Sequence, residues 1–138
     1  MTRIAGIDYG LKRIGLALTD SMGKMAFPFK TVEGGKKGVF HVAEALRPYQ
    51  RELTLIILGL PLLMNGKEGE MAQLVRLFAG ELEAYLKIPV LLLDERLSSS
   101  QAEKSLKELS FNRKKRSAKI DTAAATLLLQ NYLDTLEK

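Results

Sequence analysis

A chain of 138 residues is long enough for one ordinary domain with a real core. Its composition, 46% hydrophobic and 27% charged, is that of a globular protein and excludes a disordered one. It contains no cysteine, which rules out disulfides, thiolate metal sites and thiol nucleophiles, and it carries a formal charge of +5.

From the N-terminus, Arg3–Tyr9 and Ile14–Asp20 pattern as a strand pair joined by the Gly10–Arg13 turn. The apolar run Ile14–Leu18 is too short to span a bilayer, and no signal-peptide pattern precedes it. The expectation is a cytoplasmic protein with no membrane part. Pro28–Val32 reads as a short third strand closed by Gly34-Gly35, and Val39–Arg51 has helical spacing that Pro48 should end or bend. Leu53–Leu60 is nearly continuous hydrophobic sequence, as a central strand covered on both faces requires.

Glu68–Leu86 aligns Met71, Leu74, Val75, Phe78, Leu82 and Leu86 on one helical face, and Val90–Glu95 reads as another short buried strand. Ser98–Ser100 offer N-caps, with Ser100 and Glu103 as a capping box for a helix that fades by Leu109. Phe111–Ser117 reads as a mobile basic loop, and a final helix runs from about Ala118 to Leu136. No repeat or linker interrupts the chain, so residues 1–138 are expected to form a single domain. The order β-β-β-α-β-α-β-α-α predicts an α/β layer sandwich with a mixed sheet. Its first, fourth and fifth strands should run parallel, with their C-terminal ends on one edge, where open α/β sheets bind ligands.

Three points along the chain bring acids to that edge. Asp8 ends the first strand, and Asp94 with Glu95 ends the fifth; alternation puts these two neighbours on opposite faces. Asp121 shares a helical face with Ala124, Ala125, Leu128 and Tyr132, the face that must pack on the sheet. Each acid has an ordinary structural account. Asp8 could initiate a turn, Asp94 or Glu95 could pair with Arg96, and Asp121 could gain from the dipole of a first helical turn. Those accounts do not explain the run Ala123-Ala124-Ala125, which suits a helix that must approach something closely. Taken together, clustered carboxylates repel unless a cation sits among them. With oxygen donors alone, that cation would be hard, Mg²⁺ or Mn²⁺, and such ions support in-line phosphoryl displacement. His41, the single histidine, falls on an exposed helical position and reads as surface structure.

The cations point the same way. Arg113, Lys114, Lys115, Arg116 and Lys119 form a local cluster equal to the whole net charge, which suits either a polyanion contact or a solvated face. Lys12, Arg13 and Arg96 lie next to the acids in sequence and are further candidates for phosphate, or for simple turn and ion-pair roles.

Four segments resemble the YqgF (RuvX) family. They are Gly6-Ile7-Asp8-Tyr9-Gly10-Leu11-Lys12-Arg13-Ile14-Gly15-Leu16-Ala17 with Asp20; Gly59-Leu60-Pro61 with Asn65-Gly66 and Gly69; Asp94-Glu95-Arg96-Leu97-Ser98 with Ala102; and Asp121 with Ala124-Ala125 and Leu128 to Leu133. The resemblance implies an RNase H-like three-layer sandwich, a mixed five-stranded sheet flanked by helices, related to Holliday junction resolvases. It implies a cytoplasmic nuclease acting at the 5′ end of pre-16S ribosomal RNA, with junction resolution as the alternative activity. Carried over by position, the catalytic and metal-holding set is Asp8, Glu95 and Asp121. In the resolvase relatives the second acid stands on the fourth strand. That strand ends here in Gly59-Leu60-Pro61, so Glu95 on the neighbouring strand would take its place.

Two other classes compete. One is a non-catalytic nucleic-acid-binding module, with the fold and cations but no working metal. The other is a nucleotide-binding domain, since Asp8-Tyr9-Gly10 resembles the phosphate loop of actin-like ATPases; such enzymes need two related domains, and the length supplies one. Monomer and homodimer are both compatible with the sequence.

Overall fold

A computed structural model describes residues 2–94 and 113–136, with the side chains of 113–120 left aside. Five strands form one sheet: β1 (Arg3–Asp8), β2 (Arg13–Thr19), β3 (Ala26–Glu33), β4 (Leu53–Leu60) and β5 (Val90–Asp94). The helices are α1 (Gly38–Leu46), α2 (Glu70–Leu86) and α3 (Arg113–Leu136), with short 3₁₀ turns at Gly35–Lys37 and Arg47–Tyr49. The spatial order is β3-β2-β1-β4-β5, so β1 is the central strand. It pairs antiparallel with β2 and parallel with β4, and β4 pairs parallel with β5. The C-terminal ends of β1, β4 and β5 therefore share one edge, as the element order predicts.

Strand alternation divides the sheet between two cores. Ala5, Ile7, Ile14, Leu16, Ile56 and Leu58 pack with Val42 and Leu46 of α1 and with Val75, Phe78 and Leu82 of α2. On the opposite face, Ala17 and Ile57 pack with Ala125, Leu128 and Leu129 of α3. The unbroken hydrophobic run of β4 follows from this, because its consecutive residues Ile56, Ile57 and Leu58 are all fully buried while facing alternate cores. Each such side chain contributes roughly 1.5–3 kcal/mol by leaving water.

The helix α3 lies close against the sheet for a reason visible in the sequence. A methyl group at Gly6 would stand 2.8 Å from Leu129 Cβ and 2.9 Å from the Ala125 carbonyl oxygen, and one at Gly15 would overlap the Asp121 carbonyl. Two glycines on the strands and the alanines on the helix remove the side chains that would hold the layers apart. The close approach inferred from Ala123-Ala124-Ala125 is this contact.

Several boundaries differ from expectation. Within the expected mobile loop Phe111–Ser117, residues 113–117 are helical, because α3 covers Arg113–Leu136, while Phe111 and Asn112 lie outside the described residues. Lysine and arginine are good helix formers, so a run of cations is compatible with helix as well as with a solvated loop. Strand β3 is longer at both ends than Pro28–Val32. The second helix starts at Glu70 rather than Glu68, since Glu68 closes a bridge with Leu62 across the Asn65-Gly66 turn and its carboxylate holds Arg76 by two hydrogen bonds of 2.7 and 2.6 Å. The expected helix after Ser98 lies outside the described residues.

Candidate active site

Asp8 is the last residue of β1, half-buried, directly across from Gly15 of β2. Directly opposed residues of an antiparallel pair project from the same face. Gly15 is the residue on which Asp121 of α3 rests, so Asp8 and Asp121 stand on one face with only a glycine's breadth of sheet between them. They are 113 positions apart in sequence (121 minus 8), joined through the central strand pair.

Asp121 is not in a first helical turn, because α3 begins at Arg113. The helix-dipole account of this acid therefore fails, and the effect of the dipole does not extend past the first turn. Its carboxylate Oδ2 instead accepts a hydrogen bond from Arg13 Nε at 3.1 Å. Burial against the sheet still raises its pKa above the usual aspartate value, and the Arg13 guanidinium only partly offsets that rise. One arginine thus leaves this carboxylate short of the positive charge that its burial demands. The arrangement suits a site for a hard cation, since the donors are oxygens only.

The other expected residues divide clearly. Asp94 shares the face of Val90 and Leu92, which pack towards α1 and α2, whereas Leu93 packs towards α3. Asp94 is thus on the wrong face to join Asp8 and Asp121. Glu95 and Arg96 lie outside the described residues. Among the described residues, no three His, Asp or Glu side chains stand together as a metal cluster. Lys12 is exposed on the β1–β2 turn, while Arg13 is committed to Asp121. Arg113, Lys114, Lys115, Arg116 and Lys119 lie on α3 N-terminal to Asp121, and only their backbone is described.

Asp20 and His41 have defined structural places. Asp20 caps the β2–β3 turn, its Oδ1 accepting the Lys24 amide at 2.8 Å, which holds its pKa below the ordinary aspartate value. It is a turn residue at the opposite end of the strands from Asp8. His41 holds the Glu33 carbonyl oxygen through Nδ1 at 2.9 Å on the α1–β3 side, remote from the α3 face.

A family model described as RuvX, Holliday junction resolvase, matches residues 2–135. The chain belongs to the RuvX family. Among curated members it is similar to a protein of Endomicrobium trichonymphae, 46% identical over 97% of this chain and 96% of that one. A member from Bacillus licheniformis is 41% identical over 97% and 98% of the two chains. Both carry the provisional name pre-16S rRNA nuclease. Of solved structures, RuvC of T. thermophilus in complex with a Holliday junction substrate superposes with a TM-score of 0.59 at 17% identity, covering 98% of this chain and 96% of that one. The Fowlpox virus resolvase with its junction DNA gives 0.60 at 17%, covering 99% and 100%. At such identities the likeness speaks for the fold, the RNase H-like three-layer sandwich expected of the RuvX family.

Proposed function

We propose that this chain is a divalent-metal-dependent nuclease of a single domain that processes the 5′ end of pre-16S ribosomal RNA in the cytoplasm. The observation that carries the reading is the meeting of Asp8 and Asp121 on one sheet face, with Asp121 buried beyond what Arg13 compensates. The names of its relatives support the substrate class.

In this reading Asp8, Glu95 and Asp121 hold Mg²⁺ or Mn²⁺. Asp94 shares the face of Val90 and Leu92, away from Asp8 and Asp121, which favours the adjacent Glu95 as the third acid. A divalent ion held by these residues would supply an activated water and offset charge at the scissile phosphate. The chain's own residues do the rest. Arg13 fixes the Asp121 carboxylate in one orientation, and the close seat of α3 on Gly15 fixes its height above the sheet. Lys12, Arg96 and the cluster Arg113, Lys114, Lys115, Arg116 and Lys119 grip the substrate backbone, which makes binding salt-dependent.

The test is a cleavage panel of a pre-16S rRNA 5′ fragment, single-stranded RNA and a four-way DNA junction, with Mg²⁺ and with Mn²⁺. The parent should cut the rRNA precursor, whereas Asp8→Asn and Asp121→Asn should bind it without cutting. Preferential cutting of the junction would assign the alternative activity, resolution. If both variants cut as fast as the parent, these acids are not the catalytic set.

A further inference from the structure

The β1–β2 turn and the β3–α1 turn are locked together beside the candidate active site. The Gly34 amide donates to the Lys12 carbonyl oxygen at 2.9 Å. A methyl group at Gly34 would stand 2.7 Å from the Gly10 carbonyl oxygen and 2.8 Å from that of Leu11, so only glycine permits the contact. The docked turns present Lys12, Lys36 and Lys37, all exposed, as one cationic ledge.

Next to the ledge is a cleft of about 230 Å³ lined by Tyr9, Lys36, Val39, Leu77, Phe78 and Glu81. The Tyr9 and Phe78 rings pack with centroids 4.8 Å apart, tilted by 46°. Leu77 is 64% exposed, so folding does not account for an apolar residue at this point of α2. The volume is below the roughly 300–1,000 Å³ of pockets for drug-sized ligands, which suits one planar ring system rather than a whole nucleotide.

We infer that this cleft takes an unstacked nucleobase of the substrate strand while Lys12, Lys36 and Lys37 hold the phosphates on either side of it. This rests on the nuclease reading and deepens it, since it names a single-stranded segment as what the site grips. Glu81 argues for a base over a phosphate inside the cleft, because a carboxylate repels the anion and can accept from a base's donor edge. Aromatic and apolar walls beside a cationic track are the general means of holding single strands, whereas duplex bases are stacked and cannot enter. Tyr9 directly follows Asp8 but packs on the opposite face of the sheet, with the α1–α2 core. A strand crossing the C-terminal edge of β1 therefore places its base on the cleft side and its next phosphate on the Asp8 side.

The experiment is fluorescence anisotropy of a labelled single-stranded RNA decamer, and of its duplex, with the full chain in EDTA. The parent should bind the single strand more tightly than the duplex. Leu77→Ala, at an exposed position that spares the fold, should weaken single-strand binding by about tenfold and leave duplex binding unchanged. The double variant Lys36→Glu, Lys37→Glu should weaken both and flatten their salt dependence. Unchanged single-strand affinity in Leu77→Ala, or equal losses on strand and duplex, would overturn the inference. The assay involves no cleavage. A chain that binds this way yet never cuts would leave the inference standing and the nuclease reading failed; a chain that cuts with Leu77→Ala binding intact would do the reverse.

Discussion

Asp121 is a carboxylate whose burial against the sheet works against the fold. Its folded pKa is raised, chiefly by burial. A carboxyl of that kind favours folding when protonated; the contribution is complete below its unfolded pKa and is lost as pH rises through the folded one. Asp121→Asn should therefore raise the thermal midpoint at pH 7 in metal-free buffer, and the gain should shrink towards pH 3, as calorimetry at the two pH values would show. A midpoint lowered at pH 7 would mean that the Arg13 pairing outweighs the burial. Gly15 makes a second test at this scale. Because its missing side chain is where the Asp121 backbone sits, Gly15→Ala should destabilise by about 3 kcal/mol, measured by urea unfolding. Gly80→Ala, on α2 with nothing within 4 Å, should instead stabilise by up to about 1 kcal/mol.

Among the elements, the strands were the most legible. The run Leu53–Leu60 announced a strand buried on both faces, and Ile56 and Ile57 bear this out by facing different cores. The start of α2 is hard to read because Glu68 fits a helical period as well as it fits the bridge to Leu62 that it makes. The start of α3 was hidden by charge, since a cluster of cations reads equally as a solvated loop or as a helix. The convergence of Asp8 with Asp121 was legible from topology, but the choice against Asp94 needed the observed facing of Leu93. The packing of α3 also carries an energetic expectation. Leu129 is fully buried against the sheet, so Leu129→Ala should cost about 2–5 kcal/mol in equilibrium unfolding and lower nuclease activity through the loosened seat of Asp121.

At the scale of the molecule, the proposed metal would join the first strand to the last helix, with most of the chain between them. A ligand that binds only the folded form stabilises it by mass action, by about 2.7 kcal/mol at a hundredfold excess over Kd. Mn²⁺ should therefore raise the midpoint of the parent, and Asp8→Asn should abolish the rise, as differential scanning fluorimetry would report. The placement of α3 has one more consequence. One face of the sheet, with Ala17 and Ile57 on it, is covered by a helix made after every strand. During translation the emerging polypeptide carries that face bare, so in the proposed reading Asp8 and Asp121 cannot come together before α3 has left the ribosome and docked.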